Sequence, residues 1–197
     1  MNLEQILNYR RSIRYYSDTK LVDTEKVAHC LRLAQLAPTS SNMQLYEMYH
    51  ITDKDVLKKL ASACLEQNSA DTAQEMVVFV TRQDLHRKRE KEVFRLEIEN
   101  IRRTSPVEKQ EKRIKKWRMY YEKLLPILYT RFFGILGAVR KITALGIGLF
   151  RPMMRQVSEA DMRVVVHKSC GLVAQTFMLA MAEQGYDTCA LEGFDSL

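Results

Sequence analysis

The sequence predicts a domain that mixes amphipathic helices with a few short strands. Three observations carry that reading. Apolar residues recur at helical spacing over residues 23–37 and again beyond Ser158. Residues 47–52 (EMYHIT) alternate as a half-buried strand does, and residues 76–81 (MVVFVT) form a continuous run rich in β-branched side chains. A length of 197 residues suits one domain, and 46% hydrophobic with 28% charged residues suits a chain that builds a core.

Taken in order, Leu3, Ile6 and Leu7 predict a short helix over residues 3–9 that leads into Arg10, Arg11 and Ser12. A second helix fits residues 23–37, with Asp23 as its cap and Val27, Leu31, Leu33, Ala34 and Leu36 as its apolar stripe. Pro38 stops it, and Thr39-Ser40-Ser41-Asn42 follows as a polar loop. Residues 54–65 read as a helix, and residues 76–81 as a buried central strand. Residues 83–123 are mostly helix-forming, with a break near Thr104-Ser105-Pro106. Residues 124–150 are apolar and carry Gly134, Gly137, Gly146 and Gly148. They are no membrane span, because Arg131, Arg140 and Lys141 leave uncharged runs of 8 and 9 residues, where a span needs about 20. On a helical wheel those three charges share no face, which argues against an interfacial helix. A lid, a helical hairpin or a partner-facing surface is expected, with contact to a membrane surface as the lesser alternative. Ser158, with Asp161 three residues on, opens the last helix. Val165, Val166, Leu172, Val173, Phe177, Leu179 and Ala180 make it apolar around much of its circumference, so deep burial is expected, and Gly185 is its stop.

The net charge of +7 is local. Residues 82–123 hold 15 Lys/Arg against 8 Asp/Glu, while the remainder balances at 16 and 16. A basic surface attracts phosphates, nucleic acid or anionic lipid. No aromatic ladder or nucleic-acid motif accompanies it, so a solvated helix laced with ion pairs, from Glu92 or Glu108 to nearby basic residues, is preferred. Cys30, Cys64, Cys170 and Cys189 are scattered without ligand spacing and read as reduced thiols. With no signal-like apolar run at the N-terminus, a cytoplasmic location is expected. Four isolated histidines, and the absence of HExxH, GxSxG and phosphate-loop motifs, point away from metal or covalent catalysis.

Two polar clusters carry the positive signal. Arg10, Arg11, Ser12 and Arg14 place three guanidiniums and a hydroxyl within five residues, a set that suits a phosphate. Basic residues at a helix end also complement its dipole, so the cluster alone is open. Pro38-Thr39-Ser40-Ser41-Asn42 and Gln44 group small hydrogen-bonding side chains, as a plain helix-terminal turn also would.

Together these clusters resemble the nitroreductase family. Arg10, Ser12 and Arg14 match its R-x-S-x-[RK] element, and Pro38, Thr39, Ser40, Asn42 and Gln44 match P-[ST]-S-x-N-x-Q-P-W, with Leu45-Tyr46 where the family has Pro-Trp. Gln67-Asn68 ahead of the strand VVFV, the helix SCGLVAQTFMLAMAEQG, and the turn from Leu191 through Glu192, Gly193, Phe194 and Asp195 follow in the family's order. Residues 83–157 match none of its motifs. The resemblance implies an α+β fold, a central, mainly antiparallel sheet flanked by helices, in a homodimer with FMN at each subunit interface. It implies that Arg10, Arg11 and Ser12 hold the FMN phosphate and ribityl chain, with Arg14 near the N1–C2 edge. Pro38, Thr39, Ser40 and Asn42 would reach the partner's flavin. Gln67 or Asn68 would bond the pyrimidine edge, and the backbone at Leu191, Glu192 and Gly193 would face flavin N5. The implied reaction passes hydride from NADH or NADPH through N5 to a small acceptor such as a nitroaromatic or quinone, with no catalytic side chain and no metal. Family members usually continue beyond the point matching Leu197, through further phosphate contacts and a tail. A flavin-binding protein without turnover, or a docking protein using residues 82–150, are the alternatives.

Overall fold

A computed structural model describes residues 1–195. Among them the order is α1 (Leu3–Tyr9), α2 (Thr24–Ala34), β1 (Tyr46–Ile51), α3 (Lys54–Ala63), α4 (Asn68–Asp71), β2 (Met76–Thr81), α5 (His86–Thr104), α6 (Val107–Met119), α7 (Leu125–Tyr129), α8 (Ile135–Ile147) and α9 (Glu159–Glu183). The chain divides into two compact units. One takes Met1–Pro38, Glu47–Val80 and the residues from Gly171 onward; the other takes Thr39–Tyr46 and Thr81–Cys170.

In the first unit, local caps set the helix limits. Asn2 and Gln5 close a capping box on α1, and the Asp23 and Asp53 carboxylates accept backbone N–H bonds at the starts of α2 and α3. α2 ends at Ala34, three residues short of the expected limit. There Leu36 and Ala37 donate to Leu33 and Ala34 in tight three-residue turns ahead of Pro38, which disfavours helical backbone before it. α3 stops at Ala63, because Leu65 and Glu66 adopt φ of +59° and +53°. Val27, Cys30, Ala34, Leu57, Ala61, Ala70, Val173 and Phe177 are buried here. Gln74 pins the connection ahead of α2, accepting from Val22 N–H and donating to the Ser17 and Lys20 carbonyls.

The sheet has two strands, β1 beside β2. Arg82 N–H, just past the end of β2, donates to the Leu45 carbonyl just before β1 at 2.9 Å, which makes the pair antiparallel. The expectation of a buried central strand over residues 76–81 is corrected. Every residue of β2 is only half-buried, because it pairs with a single neighbour among the described strands.

The second unit is helical around Met43, Leu45, Val93, Phe94, Ile101, Ile114, Tyr121, Leu125, Tyr129, Met162 and Val166. The break between α5 and α6 falls at Ser105-Pro106, as expected, and is held by Arg113 to Ser105 Oγ and Gln110 to the Ser105 carbonyl. The basic helices are laced with ion pairs, Arg89–Glu92 and Arg95–Glu99 at 3.1 Å; Glu92 pairs as expected, whereas Glu108 has no ion-pair partner among the described residues.

Ser158 and Asp161 bond reciprocally at the start of α9, and Gly185 (φ +79°) closes it, with Tyr186 N–H reaching back to the Met181 carbonyl. Deep burial of this helix is corrected: Val164 and Leu172 are half-exposed, and burial is confined to a face that includes Met162, Val166, Val173 and Phe177. α9 is long and apolar enough to cross a membrane by length and composition, a test that core helices also pass.

Candidate functional site

Three segments of the first unit converge through backbone hydrogen bonds. Residues 10–16 leave α1 as an irregular segment with a single bridge at Ser12. Ile13 N–H donates to the Thr188 carbonyl at 3.3 Å, and Ser12 and Thr188 form a parallel bridge. Tyr16 N–H donates to Thr72 Oγ1, whose hydroxyl donates in turn to the Asn68 carbonyl in α4. Gln67 Nε2 donates to the Gly193 and Cys64 carbonyls, both at 3.0 Å. The Arg10–Arg14 segment, the Gln67-Asn68 turn and the Thr188–Gly193 segment are thereby tied together, although they lie far apart in sequence.

The side chains divide by what already engages them. Arg11 Nη1 donates to the Leu7 and Arg10 carbonyls, so it closes the C-terminus of α1. The reading of this residue as a helix-end charge therefore describes its contacts, and its guanidinium is partly committed. Arg10, Ser12 and Arg14 have side chains with no protein partner among the described residues. Asn68 is exposed and its amide is free. Both Gln67 amide hydrogens are used, which leaves its Oε1 as an acceptor. The N–H groups of Glu192 and Gly193 likewise have no partner among the described residues. Thr188 Oγ1 is buried and unsatisfied beside the bridge to Ser12. Burial, followed by the nearby Cys189 and Asp187, pushes the Tyr16 hydroxyl up to about 12, so it stays protonated.

Pro38 belongs to the first unit, whereas Thr39, Ser40 and Asn42 belong to the second. Ser41 and Asn42 both take φ of +53°. Ser40 N–H donates to Ser169 Oγ, Ser41 Oγ meets Tyr120 Oη at 2.6 Å, and Thr39 Oγ1 accepts from Gln44 N–H. Asn42 Oδ1 accepts from Gln44 Nε2, which leaves its amide nitrogen free. A left-handed loop in bulky or β-substituted residues costs about 1–3 kcal/mol per position and persists only when its surroundings over-determine it; the tyrosine bridge supplies that here.

Tyr16, Thr72 and Thr188 carry the convergence, and sequence reasoning missed them. No local pattern marks them, since each acts through a partner distant in sequence. One other polar cluster resembles a catalytic set and is not one. Glu75 accepts from Thr24 Oγ1 and meets His50 Nε2 at 2.6 Å, so the carboxylate, not the imidazole, takes the hydroxyl hydrogen. Among the described residues no group of three His, Cys, Asp or Glu could hold a metal.

The nitroreductase family model matches residues 7–196. The chain belongs to the nitroreductase family. An Archaeoglobus fulgidus relative, described as an NADH dehydrogenase/NAD(P)H nitroreductase, is 41% identical over 54 residues, which is 27% of this chain and 30% of that relative. The match thus spans less than a third of the relative's length. Solved nitroreductase folds cover nearly all of the chain. The Bacillus subtilis nitroreductase ydfN aligns with 98% of it and 76% of its own length at 19% identity and a TM-score of 0.67. A Staphylococcus epidermidis protein described as an NAD(P)H:FMN oxidoreductase aligns at 18% identity and 0.67, covering 99% and 76%. An Exiguobacterium sibiricum nitroreductase in complex with FMN aligns at 20% and 0.61, with the same coverage. At these identities the likeness establishes the α+β nitroreductase fold.

Proposed function

We propose that this nitroreductase-family chain is an FMN-dependent oxidoreductase that uses NADH or NADPH to reduce a small acceptor such as a nitroaromatic or quinone, as a homodimer. The observation that carries the reading is the convergence of unpaired donors in the first unit. Two guanidiniums and a hydroxyl without partners among the described residues lie on residues 10–14, whose backbone pairs with Thr188, four residues before the unused N–H groups of Glu192 and Gly193.

The donor set fits FMN. Arg10 and Ser12 offer the charge-assisted and neutral donors that a phosphate and a ribityl chain accept. Arg14 supplies a positive charge for the N1–C2 edge, where it would favour the reduced anion. Gln67 Oε1 and the Asn68 amide match the alternating donors and acceptors of a pyrimidine edge. The Glu192 and Gly193 N–H groups would be available to flavin N5, and Leu191 continues that segment. The buried hydroxyl of Thr188 would gain a partner from a ligand seated beside Ser12. Arg11 contributes charge to the same end while its hydrogen bonds hold α1. Pro38, Thr39, Ser40 and Asn42 are assigned to the flavin of the partner subunit. When bound, FMN would supply the redox chemistry, a hydride transfer from the nicotinamide to the acceptor. The protein's part is to hold, orient and electrostatically bias it.

The test is the visible spectrum of purified protein, before and after FMN and then NADH or NADPH are added without oxygen. A flavin spectrum that bleaches with nicotinamide is expected. Protein that never takes up FMN sinks the reading, and FMN bound without nicotinamide oxidation reduces it to flavin binding.

A further inference from the structure

α8 is built inside out. Ile135, Val139 and Ile142 recur at i, i+4 and i+7, the spacing of a core stripe, yet all are exposed, Ile142 by 71%. The buried positions of the same helix are small: Gly137 and Ala144. A Cβ at Gly137 would lie 2.6 Å from the Glu159 backbone nitrogen, so this face is fixed inward by close backbone approach. Arg140 also turns inward, donating to the carbonyls of Val157, Ile127 and Thr130. That removes the charge which, on a helical wheel, argued against an interfacial helix. Both ends of α8 extend the apolar surface. Phe133 is 93% exposed before it, and Leu149 and Phe150 are 80% and 90% exposed after it.

Phe133 is held out at a cost. Its φ of +45° lies in the left-handed region, which a bulky side chain rarely adopts. The flanking N–H groups of Phe132 and Gly134 both donate to the Glu159 carboxylate, at 2.9 and 3.1 Å, which fixes the turn. Charge around this surface is mostly positive, and the acids at its edge are already engaged, Glu159 by the Phe132 and Gly134 N–H groups and Asp161 by Ser158. Residues 124–158 contain no Asp or Glu, and they carry Arg131, Lys141, Arg151 and Arg155 besides the inward Arg140.

We propose that the outward face of α8, with Phe133, Leu149 and Phe150, docks on an anionic lipid surface. An apolar stripe with exposed aromatics inserts at the level of the headgroups, and the surrounding cations meet the negative surface. At 13 residues α8 is too short to span a bilayer, which takes about 20. A second copy of the chain fits the face less well, because a twofold contact sets the same cation-rich surface against itself.

The proposal is tested by co-sedimentation of the whole protein with phosphatidylcholine vesicles, with and without phosphatidylglycerol. Binding is expected to the anionic vesicles only. F133S/F150S removes two exposed aromatics and should lower partitioning about tenfold or more, with unchanged circular dichroism because neither side chain is buried. K141E/R151E should lower it as well, and added salt should weaken what remains. No binding to anionic vesicles, or equal binding by F133S/F150S, overturns the proposal. So does a self-association, seen by sedimentation velocity without lipid, that F133S/F150S abolishes, since a second copy then covers the face.

Discussion

Glu159 is a single side chain on which a whole turn depends. Its carboxylate accepts from Phe132 N–H and Gly134 N–H across a turn that includes the left-handed Phe133, and those bonds, the one from Phe132 first, hold its pKa below the ordinary 4.5. The sign follows from linkage. A carboxyl whose folded value is lowered stabilises the fold fully above the unfolded value, and that contribution is lost as pH falls through the folded one. Amide exchange at Phe132 and Gly134, corrected for the intrinsic pH dependence, should therefore be slow near neutrality and lose protection only below about 4.5. Glu159→Ala, which removes both acceptor oxygens, should show the unprotected behaviour at every pH. Protection that is flat with pH in both proteins would mean the turn is held by something else. The sequence placed residue 159 at the start of a helix. It gave no sign of this role, because the bonds join residues 25 and 27 positions apart through a conformation that has no local pattern.

At the scale of elements, boundaries were legible where the chemistry is local. Asp23, Ser158 with Asp161, Ser105-Pro106 and Gly185 each mark a helix end in the sequence and again in the fold. Facing was not legible. Periodicity assigns an apolar stripe but not the side on which neighbours stand, so β2 and α9 are less buried than their composition implies and α8 turns its large residues outward. The two glycines of α8 test this directly. Gly137→Ala must push a Cβ against the Glu159 backbone, and overpacking of this kind costs about 1–3 kcal/mol. Gly146→Ala meets nothing within 4 Å, and it removes a flexible residue from a helix interior, which should add roughly 0.5–1 kcal/mol. Urea midpoints should move in opposite directions. Equal shifts would mean that α8 does not pack through its Gly137 face.

For the molecule as a whole, the family and its fold could be read because its motifs are short and ordered: Arg10, Ser12 and Arg14, then Pro38 to Gln44, then Leu191 to Asp195. What holds them in register could not, since Thr72 and Thr188 act across long sequence separations. Nor could the sequence divide the arginines into those the fold uses and those it leaves free. That division makes a prediction about stability. A ligand that binds only the folded protein adds about 2.7 kcal/mol at a hundred times its Kd. For a chain of this length that is a rise in Tm of about 5–11 °C, at about 2–4 °C per kcal/mol. Arg10→Ala and Arg14→Ala remove side chains with no partner among the described residues, so the stability without FMN should stay within about 0.5 kcal/mol of the parent. The rise with FMN should shrink, because a hydrogen bond to a charged group contributes about 1.5–3 kcal/mol. Arg11→Ala should do the reverse, lowering the Tm without FMN by removing two bonds to the end of α1 while keeping most of the ligand-dependent rise. If all three variants lose the FMN-dependent rise equally, the cluster acts as diffuse positive charge and the assignment of Arg10 and Arg14 as direct ligands fails.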